Sequence, residues 1–173
     1  MRALPAASRL STGFTLIEIL VVIVILAVAA AMVTLAVSGV GERRLARDSE
    51  RLRALIGYAC EQAELEGRSI GISLSRSGYA FSRAEGGSWL PEREGTLRTR
   101  KWSVAPTAVL TRDGEPVAIG EAYPAKPQLV CFASGELTAF RLELGLPDST
   151  SRRRIDGRGD GELEERSVDA PAP

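Results

Sequence analysis

The chain has 173 residues, with 22 basic and 22 acidic side chains and a formal net charge of zero. That length suits one ordinary domain plus an anchor, and the charge balance excludes a protein that coats nucleic acid through a general basic excess. There is no histidine, which removes the commonest general base and transition-metal ligand together. No serine or cysteine has a candidate base close by in sequence. No catalytic residue, metal or cofactor is therefore expected, and the chain is read as not an enzyme.

Residues 1–13, MRALPAASRLSTG, are basic through Arg2 and Arg9 and contain no acid. The apolar stretch FTLIEILVVIVILAVAAAMVTLAVSGV follows at once. From Leu16 to Val40 it covers about 25 residues, or roughly 37 Å of helix, where a bilayer core needs about 20 residues. It is too long for the h-region of an ordinary secretory signal, and no A-x-A cleavage site follows it. A transmembrane helix over 14–40 is expected, with the N-terminus held in the cytoplasm by Arg2 and Arg9 and the chain beyond Gly41 exported.

The helix is expected to continue past the membrane. In ERRLARDSERLRALIGYACEQAELE (42–66), Leu45, Leu52, Leu55, Ile56, Ala59 and Ala63 fall on one helical face. Gly67 stands where a C-terminal cap belongs. Strand patterns take over at SIGISLS (69–75), with a turn at Ser77-Gly78 before YAFSRA. Further short strands are expected in WLPERE, LRTRKWSV and AVLTRDGEPVAI, and a hairpin over 128–144 that turns at Ser134-Gly135. The fold class is α+β, a long helix packed on antiparallel sheet, with its domain over 41–145. From there on, GLPDSTSRRRIDGRGDGELEERSVDAPAP is charged and poor in apolar residues, and a mobile tail is expected over 146–173.

Glu18 is the acid of the otherwise uncharged helix. A carboxylate inside a membrane helix costs about 2.5–3.5 kcal/mol, unless it reaches the interface or finds a partner. Cleavage between Gly13 and Phe14 would create an α-amine at Phe14, four residues before Glu18. Amine and carboxylate at that spacing share a helix face, and can also pair between neighbouring helices.

Gly13-Phe14-Thr15-Leu16-Ile17-Glu18 before such a helix resembles the signal of type IV pilins and type II secretion pseudopilins. The resemblance implies cleavage after Gly13 by a membrane-embedded prepilin peptidase, N-methylation of Phe14, and a role for Glu18 in recruitment to a fibre. Ala27, Ala29, Ala30, Ala31 and Ala36 suit close helix packing. Leu35 stands where many major pilins carry a proline. Further along, Glu61, Ala63, Gly67, Gly71, Ile72, Gly78, Tyr79, Phe81, Trp89 and Ser134–Thr138 resemble the H-type minor pseudopilin family over about residues 10–145. That resemblance implies an inner-membrane subunit with a periplasmic domain, linking a tip complex of other minor pseudopilins to the major pseudopilin shaft. Its partners would also include the inner-membrane secretion platform. A DNA-binding or assembly-priming minor pilin is the alternative, and a membrane-anchored enzyme with an accidental signal is a third.

Cys60 and Cys131 cannot form a CxxC motif. In an oxidising compartment they form either a disulfide or two buried thiols. Arg152, Arg153, Arg154 and Arg158 make a basic cluster, but Asp156, Asp160, Glu162, Glu164 and Glu165 lie beside it. A solvated run is expected there rather than a phosphate contact. Asp156, Asp160 and Glu162 do not complete a calcium loop. Trp89, Trp102, Tyr79 and Phe81 are read as core or sheet packing rather than a ligand cage.

Overall fold

The structure is a computed structural model that describes residues 15–147 and 149–169, with the backbone alone at 30–38 and 169. Helix α1 runs Leu16–Glu66. Contacts within the chain define two compact units, Met1–Gly39 and Val40–Pro173. The helix ends as its sequence suggests. Gly67 has φ 62°, and the Arg68 N–H donates to the Ala63 carbonyl at 3.1 Å, the 6→1 bond of a Schellman cap.

Ten strands follow among the described residues of the second unit. Sheet A contains β1 (Ile70–Ser75), β2 (Gly78–Glu85), β3 (Ser88–Pro91), the two-residue β4 (Arg100–Lys101) and β7 (Leu129–Cys131). Its order is β3-β2-β1-β7, with β4 also paired to β2. Gly78 is required at that second pairing, because a Cβ there would collide with the Arg100 carbonyl. Sheet B contains β5 (Thr107–Arg112), β6 (Glu115–Val117), β8 (Phe140–Gly145), β9 (Ser151–Gly157) and β10 (Leu163–Asp169). Its order is β10-β9-β8-β5-β6, antiparallel throughout. Asp113 (φ 51°) and Gly114 (φ 87°) make the two-residue turn between β5 and β6, the arrangement that Asp-Gly favours.

One core joins the helix to both sheets. Leu45, Leu52, Leu55, Ile56, Ala59 and Ala63 are all buried. They meet Ile70, Ile72, Leu74, Tyr79 and Phe81 of sheet A, and Leu110, Leu142, Leu144 and Ile155 of sheet B. Burial of the apolar helix face removes area from water at about 25 cal/mol per Å², which holds the amphipathic half of α1 in place. Buried Gln128 completes sheet A. Its Oε1 accepts from the Leu74 N–H at 2.6 Å, and its Nε2 donates to the Leu74 and Ala118 carbonyls.

Two expectations need correction. The segment expected as a mobile tail over 146–173 contains β9 and β10, two of the five strands of sheet B. Their charges pair across strands, so high polarity does not prevent pairing there. The domain accordingly extends past 145. The hairpin over 128–144 is also shorter than its apolar pattern suggests. The turn at Ser134-Gly135 forms, with the Phe132 N–H donating to the Glu136 carbonyl at 2.8 Å, and Cys131 bridges to Leu137. Beyond Thr138 the chain leaves sheet A and enters sheet B as β8. That exchange buries Phe140, Leu142 and Leu144 beside Leu110 and Ile155.

Tyr79 is 1% exposed, and its ring lies 5.0 Å from that of Trp102 and 6.1 Å from that of Phe81. Burial pushes its hydroxyl from 10.0 up to about 12, although the Arg100 and Arg51 charges pull the other way. A folded pKa above the unfolded one gives stability that is full below pH 10.0 and is lost as pH rises toward 12. Unfolding free energies measured across this window should fall more steeply for the parent than for Tyr79→Phe. The difference should approach about 3 kcal/mol, and parallel curves would refute the assignment.

Candidate functional site

The start of α1 is built by Thr15. Its backbone carbonyl accepts from the N–H groups of Glu18 (3.1 Å) and Ile19 (3.3 Å). Its Oγ1 accepts from the Glu18 N–H at 3.3 Å. This is an N-cap, and Thr15 and Glu18 stand at capping-box spacing. The Thr-x-x-Glu pattern that signals it was legible in the sequence but is easily hidden by the interest of Glu18 itself. Glu18 occupies the first turn and is exposed, where a carboxylate interacts favourably with the helix dipole. The Gly13–Phe14 junction lies outside the described residues.

Over Leu16–Val28 the described side chains of the first unit show no covered apolar face. Eleven large apolar side chains between Leu16 and Val28 are each 45–89% exposed. A helix that is apolar on every side requires lipid or other helices around it. Among the described residues no helix is long and apolar enough to cross a membrane. The span expected over 14–40 includes 30–38, whose side chains lie outside that set.

In the second unit, the structure joins Cys60 of α1 to Cys131 of β7 in a disulfide with Cα atoms 4.8 Å apart, within the usual range for such bridges. Trp89 and Pro127 cover Gly71, Trp102 donates to the Ser75 carbonyl at 3.2 Å, and Tyr79 and Phe81 are buried. These aromatics pack the sheet and form no cage.

Three of the four clustered arginines are paired. Arg153 Nε donates to Glu165 at 2.6 Å, and Glu165 also accepts from Ser49 of α1 at 3.1 Å. Arg154 holds Glu143 through Nε and Nη2 at 3.0 and 2.7 Å. Asp156 accepts from Arg141 at 2.8 Å and Arg166 at 3.1 Å. That bond to Asp156 raises the Arg141 pKa further. Arg158 pairs with Glu162 across the β9–β10 turn. Arg152 lies over Gly145, and its Nε is buried without a partner. The sequence proximity of opposite charges was visible beforehand, but which acid meets which arginine depends on strand register.

These pairs border an open groove of about 500 Å³, lined by Asp113, Arg141, Asp156, Arg158, Glu164 and Arg166 among others. The structure does not bring Asp156, Asp160 and Glu162 together around one point. Asp156 is engaged on the sheet face, Asp160 accepts from the Glu162 N–H at 3.1 Å, and Glu162 holds Arg158. Among the described residues, no three acidic or cysteine side chains could hold a metal ion.

Residues 8–34 match the prokaryotic N-terminal methylation motif. The chain is 37% identical over 150 residues to type II secretion system protein H of Pseudomonas aeruginosa, covering 79% of this chain and 84% of that protein. It is 28% identical to the protein of the same description from Aeromonas hydrophila, over 82% of this chain and 84% of the relative. Among solved structures, it resembles the minor pseudopilin EpsH from the type 2 secretion system of Vibrio cholerae. The TM-score is 0.58 at 17% identity, covering 75% of this chain and 99% of that one. It also resembles the solution structure of E. coli GspH, with TM-score 0.59 at 20% identity, over 78% and 96% of the two chains.

Proposed function

Because the chain belongs to the type II secretion system protein H family of minor pseudopilins, we propose that it is a structural subunit linking a tip complex of other minor pseudopilins to the major pseudopilin shaft. The observation that carries this reading is the start of α1. A capped helix is apolar on every side and bears an exposed carboxylate in its first turn. Such a helix is suited to burial among other helices, and the acid then needs a counter-charge.

The matched methylation motif supports the following sequence of events. A prepilin peptidase cuts between Gly13 and Phe14, and N-methylation modifies the new amine of Phe14. The mature chain crosses the inner membrane once through 14–40, with its folded unit in the periplasm. On recruitment by the inner-membrane platform, the Phe14 amine of one subunit pairs with Glu18 of its neighbour. Burial makes a misplaced carboxylate costly, so the pair sets axial register. The Thr15 cap keeps the first turn helical when the residues before it are removed.

Nucleic-acid capture is disfavoured by the paired arginines of β9. Arg153 and Arg154 spend their charge on Glu165 and Glu143, leaving little to release counterions from phosphates. The chain serves as a substrate for processing and a unit of assembly, with no catalytic role.

Co-expression with the peptidase and the other pseudopilins tests the proposal. Gly13→Arg should remain uncut, and normal processing would refute the cut site. Glu18→Ala should be cut but should co-purify with its partners at least tenfold less. Removing one member of a buried pair costs about 3–5 kcal/mol. Undiminished recovery would refute the role of Glu18.

A further inference from the structure

We infer that the exposed arginine face of α1 just beyond Val40 docks on anionic phospholipid headgroups. Arg43, Arg44, Arg47 and Arg51 are all exposed. At 3.6 residues per turn they occupy an arc of about 100°. Leu45, Asp48, Ser49 and Leu52, which are buried, take the opposite side.

Two of the three acids nearby are engaged elsewhere. Asp48 turns inward and accepts from the Ser103 N–H and Oγ at 2.6 and 2.7 Å. Glu42 accepts from Ser149 at 2.6 Å. Glu50 lies at the margin of the arc. Among the described residues no ion pair reaches any of the four arginines. The contrast with sheet B, where Arg141, Arg153, Arg154 and Arg166 all meet carboxylates, sets this face apart.

Position selects the occupant. Along α1, Arg43 and Arg44 lie about one turn past Val40, Arg47 about two and Arg51 about three. The headgroup layer adds roughly 5–7 Å on each side of the hydrocarbon core. This inference rests on the proposed membrane helix over 14–40, which ends at Val40 and brings the first of these guanidinium groups to the phosphates. Arginine grips phosphate through two parallel N–H donors. In the proposed orientation the cluster lies outside, against the positive-inside bias. A domain of this length translocates regardless of flanking charge, so the cluster is no topological signal. The contact would hold an unassembled subunit against its own bilayer and fix the rotation of α1.

The full-length chain in liposomes and in neutral-detergent micelles tests this. Phosphatidylglycerol and phosphatidylcholine of matched acyl chains are the probes, with retained lipid counted by native mass spectrometry. The parent should retain phosphatidylglycerol at least tenfold over phosphatidylcholine at low salt, with the preference shrinking as salt rises. Arg43→Gln/Arg44→Gln/Arg47→Gln/Arg51→Gln should lose it. A charge-matched control, Arg68→Gln/Arg93→Gln/Arg98→Gln/Lys126→Gln, should keep it, and so should lysine at the four helix positions. An equal loss in the control, or a parent with no preference that still resists alkaline extraction from both kinds of liposome, would overturn the inference. The second result would leave the membrane anchor standing. Extraction from both would refute the anchor itself. A glutamine variant that keeps its lipid but loses the other pseudopilins would assign the face to protein instead.

Discussion

A chain ending at Pro147 should yield no cooperatively folded C-terminal unit. Such a truncation removes β9 and β10, and with them Ile155, which is fully buried opposite Leu142 of β8. Burying one such side chain contributes about 1.5–3 kcal/mol. The truncation also removes Arg154 from half-buried Glu143, and the Arg153–Glu165–Ser49 link that ties sheet B to α1. Leu163, which reaches the helix at Gly57, goes too. The combined loss is comparable with the roughly 5–15 kcal/mol that stabilises a whole domain. The bared edge of β8 would add a site for aggregation. Soluble yield and a thermal melt measure the outcome. A truncated protein that melts cooperatively within a few degrees of the parent would restore the view of 146–173 as a dispensable tail.

The misreading of that segment has a physical cause. In SRRRIDG and LEERSVD the positions facing the core carry few apolar groups, chiefly Ile155 and Leu163. Arg153 and Glu165 fill inward positions as a pair. Composition therefore resembles a disordered run, while the complementarity that orders it becomes visible only once register is known. The helix was easier. Its apolar face depends on spacing alone, and the six positions picked out by period are all buried. The turn at Ser134-Gly135 was legible for the same local reason. The transfer of β8 to the other sheet was not, because it depends on which distant strand offers the better apolar surface. Of the candidate site, Glu18 stood out as a charge in an apolar run. The Thr15 cap carries its own signal, a threonine three residues before a glutamate at the head of an apolar run.

Cys60→Ala/Cys131→Ala should destabilise the protein by about 4 kcal/mol. The bridge closes a loop with a sequence separation of 71, and restricting the unfolded chain over that length accounts for the magnitude. Alanine avoids burying an unsatisfied hydroxyl, which matters because Cys131 is fully buried and Cys60 is 7% exposed. For a unit of this size the midpoint should fall by roughly 10–20 °C. Denaturant and thermal melts of the oxidised parent, the reduced parent and the double variant give the comparison. The reduced parent should resemble the variant. A variant that matches the oxidised parent would show that the bridge contributes nothing.

The same bridge has a mechanical consequence. A pull applied between α1 and the C-terminus loads the chain in sequence order. Cys60 passes that tension directly to Cys131, so strands β1 to β6 and everything else between them carry none of it. At about 3.3–3.6 Å per residue, the 71-residue separation conceals roughly 240 Å of extensible chain. A subunit under load can then lengthen only by its helix and its last strands, which makes the oxidised protein a short, stiff link.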